Sequence, residues 1–208
     1  MVDTNNPNQF FINTTFDIAG NSISLLGKDA GPENPKAFLG LEYAQYAKAD
    51  IDFRFHHNFG KNKSQTIATR LFAGYGLAYG NSEVIPYVKQ YFSGGPYSVR
   101  AFRIRSLGPG TYSGEDSTNS DGDFFDQTGN IRLEANVEYR FPLFSFFKGA
   151  VFADAGNVWN SVPNPAFIDE EGNETDKFTS NFINELGMGT GFGLRIDVQG
   201  FVIRFDLA

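Results

Sequence analysis

The chain has 208 residues, no cysteine, a net charge of −7 and a pI near 4.8. The acidic balance argues against nucleic-acid binding, which calls for a basic face, and without cysteine no disulfide or thiolate chemistry is available. Aromatic residues make up 16% and mean hydropathy is −0.30, and no apolar run reaches the roughly 20 residues that a membrane-crossing helix needs.

Period-two alternation of apolar and polar residues predicts seven strands. The first spans about 10–19 and gives way to a turn-rich stretch over 20–35. The second spans about 45–56, and a polar turn over 58–64 joins it to a third over about 66–79. A long connection fills 80–128. The fourth strand, 130–141, is closed by Pro142, which has no N–H to give to a ladder. The fifth covers 149–159. An acidic connection over 160–180 precedes the sixth, 184–197, and a tight turn over 198–200 leads into the seventh, which runs from Phe201 to Ala208.

Long and short connections alternate along this order. Outer-membrane barrels have that pattern, with long loops outside and short turns on the periplasmic side. A β-sandwich does not sort its loops by length to opposite ends in this way. The fourth strand sets Ile131, Leu133, Ala135, Val137, Tyr139 and Phe141 on one face, and Arg132, Glu134, Asn136, Glu138 and Arg140 on the other. The second, sixth and seventh strands repeat the division. The apolar side is expected to face lipid and the charged side a hydrated lumen, as in barrels that escape hydropathy scans. Tyr75, Tyr79, Tyr139, Phe141 and Trp159 lie near strand ends, where interfacial aromatic girdles sit. The fold expected is all-β: an antiparallel transmembrane β-barrel, here a partial one of about seven strands. A soluble ligand-binding β-barrel with one wet face is the alternative of another class.

The long connection carries the most specific signal. Tyr91-Phe-Ser-Gly-Gly-Pro-Tyr-Ser-Val-Arg-Ala-Phe-Arg-Ile-Arg-Ser-Leu-Gly-Pro-Gly110 sets Arg100, Arg103 and Arg105 among aromatics and glycines. Connections this long are seldom idle. Three further motifs follow in order: Val137-Glu138-Tyr139-Arg140-Phe141-Pro142, then Phe152-Ala153-Asp154-Ala155-Gly156-Asn157-Val158-Trp159, then Gly191-Phe192-Gly193-Leu194-Arg195-Ile196-Asp197. Together they resemble the BamA/TamA superfamily of outer-membrane assembly barrels (bacterial surface antigen barrels), most specifically over 91–208. Val99-Arg100-Ala101-Phe102 stands where that superfamily usually has Val/Ile-Arg-Gly-Phe. The longer form, from Arg100 through Tyr112, looks most like the TamL branch, and Ala101 departs from the usual glycine.

The resemblance implies a loop folded back into the barrel, with its motif arginine docked on lumen residues of the strands that follow. By alternation Glu138, Phe152 and Asp154 face the lumen, and Gly156 belongs to the same motif. A guanidinium fork suits a carboxylate partner, and an aromatic ring beside it adds a cation–π attraction of about 1 kcal/mol or more when desolvated. Arg100 is therefore expected between Asp154, Glu138 and Phe152. The resemblance also implies a sixteen-stranded barrel preceded by periplasmic POTRA repeats. This chain would be its C-terminal part, 1–208, without the first half and the last strand. Met1-Val-Asp-Thr-Asn-Asn has no apolar leader core, so the chain is expected to begin inside a longer protein. The function implied is insertion or translocation of envelope proteins in the bacterial outer membrane. Its partners would be outer-membrane lipid, unfolded outer-membrane protein clients and a TamB-type periplasmic protein. A two-partner secretion translocator would share the barrel and the loop motif, and a passive porin the barrel alone.

Enzymatic readings fail on inventory, and neither catalytic residues, a metal nor a cofactor is expected. His56 and His57 are neighbours on a strand and so point to opposite faces. Gly191 and Gly193 precede no helix and make no phosphate loop. Asp116, Asp121, Asp123 and Asp126, like Asp169 to Glu171 with Glu174, read as solvated acidic loop tips, since no calcium-ligand spacing recurs in them.

Overall fold

Seven long strands form one antiparallel sheet in the computed structural model, which describes residues 6–26, 35–112, 127–164, 167–168, 172–198 and 201–208. They are β1 (Asn8–Ala19), β4 (Tyr46–Phe59), β5 (Gln65–Ala78), β6 (Ile131–Phe144), β7 (Phe147–Trp159), β8 (Gly187–Val198) and β9 (Phe201–Leu207), and each pairs with its neighbour in the chain. A separate two-stranded hairpin, β2 (Ala37–Phe38) and β3 (Leu41–Glu42), lies in the first long connection. A single helical turn, Asn21–Ser24, follows β1.

The alternation becomes two faces of this sheet. The outer face carries Phe10, Phe16, Ile51, Leu71, Val137, Met188, Phe192 and Phe205, all exposed. The inner face carries Asp52, Glu134, Glu138, Phe152, Asp154 and Arg195, all buried. Residues 91–110 of the connection between β5 and β6 lie across that face and cover Glu134, Glu138 and Asp154. The ladder register aligns the inner residues in rows. One row is Arg54, Arg70, Asn136, Asp154 and Gly189; the next is His56, Ala68, Glu138, Phe152 and Gly191.

Three expectations from the sequence differ from the observed elements. Pro142 does not close β6. The strand continues to Phe144, with a register shift between Pro142 and Phe144. The pairing of β6 with β5 has ended by Arg140, so Pro142 faces only β7. A residue without an N–H is tolerated where one side of the strand has no ladder to complete. Second, β8 begins at Gly187, because 182–185 form a 3₁₀ turn. Third, Trp159 is completely buried and so is not part of a lipid-facing girdle. Phe178 and Phe182 pack edge-on against it at 5.3 and 6.4 Å, and its Nε1 donates to Glu185 Oε2 at 2.5 Å.

At the short-turn end the outer face does carry an aromatic row. Phe10, Phe55, His57, Phe59, Tyr139 and Phe141 follow one another with ring centroids 4.8–6.4 Å apart. His57 joins this row and bonds Asn8, while His56 points to the inner face.

Candidate functional site

The loop reaches the sheet through a sequence of close contacts. Tyr91 and Gly129 exchange backbone hydrogen bonds of 2.8 and 2.9 Å, which closes the base of the loop. The Tyr91 hydroxyl donates toward Ala49 O and Asp50 Oδ2 at 3.2 and 3.3 Å, and Lys48 Nζ lies 3.8 Å from the centre of its ring. Within the loop, Gly95 N donates to Phe102 O and Phe102 N to Val99 O, so Pro96 to Ala101 form a tight double turn that points its middle at β6 and β7.

Arg100 is the centre of the contact. Its Nε and Nη2 donate to Asp154 Oδ2 and Oδ1 at 2.8 and 2.9 Å, a bidentate pair. Its backbone N–H adds a third bond to Asp154 Oδ2 at 3.1 Å. Nη1 donates to Glu138 Oε2 at 2.6 Å and to Asp206 Oδ2 at 3.4 Å. The guanidinium lies 3.4 Å from the centre of the Phe152 ring. The Asp154 side chain is fully buried and that of Arg100 is 8% exposed. Burial disfavours the Arg100 cation, but the hydrogen bonds and charges of Asp154 and Glu138 outweigh it and raise the arginine's pKa above its ordinary value.

The residues around Arg100 make its seat. Val99 is fully buried against Gly156, where a Cβ would lie 3.1 Å from Val99 Cγ2 and 2.7 Å from Glu134 Cγ. Ala101 sits over Gly189, where an added Cβ would come within 2.5 Å of the Ala101 Cβ. Gly156 of β7 and Gly189 of β8 therefore leave the space that the loop occupies. Ala101 has a negative φ, so the backbone here does not require glycine. Phe102 is half-buried and contributes through its backbone bonds. Of the other loop arginines, Arg105 bonds the Tyr87 hydroxyl and lies over the rings of Tyr87 and Phe92, and Arg103 is exposed.

The structure thus gathers Val99, Arg100 and Ala101 with Glu138, Phe152, Asp154 and Gly156. It adds residues that the sequence reading left unassigned. Asn136 Nδ2 donates to Asp154 Oδ1 at 3.0 Å and to Ser98 O at 2.9 Å. Arg195 bridges Glu138 Oε1 at 2.9 Å and Asp206 Oδ1 at 2.5 Å, and Arg140 donates to Glu138 Oε1 at 2.7 Å. Alternation places all of these on the inner face; which of them touch depends on strand register, which alternation leaves open. The acidic tips at 113–126 and 169–171 lie outside the described residues, and Glu174 pairs with Lys177 at 2.9 Å. The chemistry of the site is that of a charge-assisted clamp between a loop and a wall.

Comparison with known proteins identifies the family and the fold. Residues 33–208 match the Omp85 superfamily domain. The outer membrane protein assembly factor BamA of Neisseria meningitidis serogroup B is 30% identical over 104 residues, which is 47% of this chain and 12% of that protein. The fold is similar to that of BamA from Haemophilus ducreyi lacking POTRA domains 1–3, with a TM-score of 0.60 at 23% identity, covering 77% of this chain and 31% of that one. The chain therefore spans a minor part of the relatives it matches.

Proposed function

Because the chain belongs to the Omp85 superfamily, we propose that it is the C-terminal part of the barrel of an outer-membrane assembly or translocation factor. It acts without catalysing a bond change. Its clients are unfolded outer-membrane proteins, its medium is outer-membrane lipid, and a TamB-type periplasmic protein is its partner. The form of the loop from Arg100 to Tyr112 favours the TamL branch.

The observation that carries the reading is the docking of Arg100 on Asp154, Glu138 and Phe152. A porin wall needs only a hydrated lumen. A loop clamped by a buried bidentate ion pair onto adjacent strands makes those strands one rigid block. In such barrels the seam between first and last strands opens and offers an edge to which a client strand adds by β-augmentation. A rigid block on one side of the seam lets that edge open without unravelling the wall. The clamp of Val99 to Phe102 with Glu138, Phe152, Asp154 and Gly156 is, on this reading, what keeps the barrel in its working shape.

The test is complementation. The full-length protein carrying Arg100→Ala or Asp154→Ala is expressed in cells depleted of the wild type, and the folded outer-membrane proteins are quantified. The reading expects fewer folded clients at equal amounts of the variant in the outer membrane. Unchanged client levels with an unlocked loop would refute it.

A further inference from the structure

Four residues before Glu138, on the same face of β6, Glu134 faces a different part of the loop. Its side chain is fully buried. Its Oε1 accepts a hydrogen bond from Ser93 Oγ at 2.9 Å and a shorter one from Ser98 Oγ. Its Oε2 accepts from Arg132 Nη2 at 2.8 Å and Arg70 Nη1 at 3.1 Å. Ser98 Oγ in turn accepts from Gly94 N at 2.9 Å, which ties the same hydroxyl to the turn. Arg70 is held from the other side by Asp52 at 3.1 Å.

We infer that Glu134 is a second anchor of the loop, which holds the Ser93–Ser98 turn to the wall separately from the Arg100 clamp. The two anchors share no charged residue. Arg100 uses Glu138, Asp154 and Asp206; Glu134 uses two hydroxyls, Arg70 and Arg132. They are about 13 Å apart along the strand, four residues at the usual rise, and Asn136 between them touches both sides.

The chemistry of the position selects a carboxylate. One oxygen meets two hydroxyl donors and the other meets two guanidinium donors. A glutamine has one acceptor oxygen and an NH₂ with two donors, so it would keep the oxygen on the guanidinium pair and turn its NH₂ toward the two hydroxyls, which lose their charged acceptor. Gly156 lies across the ladder from Glu134, where a Cβ would come within 2.7 Å of Glu134 Cγ. The same glycine therefore makes room for Val99 of the motif and for the second anchor. The consequence is a two-latch loop: loss of Arg100 frees the motif and leaves the turn at Ser93–Ser98 on the wall. The function assigned to this latch rests on the proposed role of the docked loop; its existence does not.

A buried cysteine reports the latch. The chain has no cysteine, so Val99→Cys in a full-length protein without other cysteines is a single probe, in a position that is fully buried. The protein is reconstituted in lipid vesicles and its labelling rate with a water-soluble thiol reagent is measured; heat-modifiable gel mobility reports barrel folding. The paired change Ser93→Ala with Ser98→Ala is expected to raise the rate about tenfold or more, the factor that one charge-assisted hydrogen bond is worth. Glu134→Gln should raise it similarly, and adding the serine changes to Glu134→Gln should add little. Adding Arg100→Ala to the serine pair should multiply the two effects.

A wild-type labelling rate in the serine pair, with the barrel folded, would overturn the second anchor. The serine pair removes only two hydroxyls, so it carries the test even where Glu134 variants do not fold. Client assembly is assayed on the same proteins. Faster labelling with normal assembly would leave the anchor standing and refute the role given to the docked loop.

Discussion

The Arg100–Asp154 pair can be tested by a double-mutant cycle on the stability of the full-length barrel, and the structure sets the size of the effect. Breaking one partner of a buried ion pair costs about 3–5 kcal/mol when the other is left bare. Neither partner is left bare here. After Arg100→Ala, Asp154 keeps Asn136 Nδ2, and Glu138 keeps Arg140 and Arg195. After Asp154→Ala, Arg100 keeps Glu138, Asp206 and the Phe152 ring. Each single change should therefore cost about 2–3 kcal/mol, below the fully orphaned value. The double variant should be little worse than either single, a coupling of about 2 kcal/mol, because contacting residues are not additive. Arg100→Lys should recover little, since an ammonium keeps the charge and loses the bidentate fork. Urea unfolding of the reconstituted protein, followed by heat-modifiable mobility, measures all four corners. Additive losses, or an Arg100→Ala barrel as stable as the wild type, would refute the clamp. The raised pKa of Arg100 adds a control. A cation whose folded pKa lies above its unfolded value contributes fully below the unfolded value and is lost only above it. From the arginine side, docking should thus be unchanged between neutral and mildly alkaline pH.

Three further outcomes are expected. Arginine at Val137 or Phe192, both exposed on the outer face, should cost about 2–4 kcal/mol near the membrane midplane, while His56→Arg on the inner face should be mild; equal effects in an unfolding assay would mean that the faces are misassigned. Asn136 is no neutral control, because it holds Ser98 and Asp154. Gly189→Ala should cost about 1–3 kcal/mol through overpacking against Ala101, and Ala101→Gly in the same chain should restore stability; failure of the rescue would show that the loop does not press on β8 there. A cysteine at Glu174 should react with an impermeant thiol reagent on intact cells and one at Asn62 only after the envelope is opened, since long loops face outward and short turns the periplasm; the reverse order would invert the topology.

The strands and their two faces were legible in the sequence because a strand repeats every two residues and a barrel wall meets lipid on one side and water on the other. Local patterning was enough for β4 and β6, whose inner residues are nearly all charged or polar. It was also enough to put Arg100 in a loop and Glu138, Phe152 and Asp154 on one face, and motif order suggested that they meet. Sequence went wrong where a neighbouring segment changes the surroundings of a residue. Trp159 has the position of a girdle residue, yet the returning turn with Phe178 and Phe182 covers it. Pro142 reads as a terminator, yet β6 has already parted from β5 at that point. The anchoring set beyond the motif, with Asn136, Arg195, Asp206 and above all Glu134, depended on register and on the path of the loop. Alternation fixes which face a side chain takes; only the pairing of strands and the folding-back of residues 91–110 fix what it touches there, because the loop meets Glu134 and Asp206 from 36 and 106 positions away.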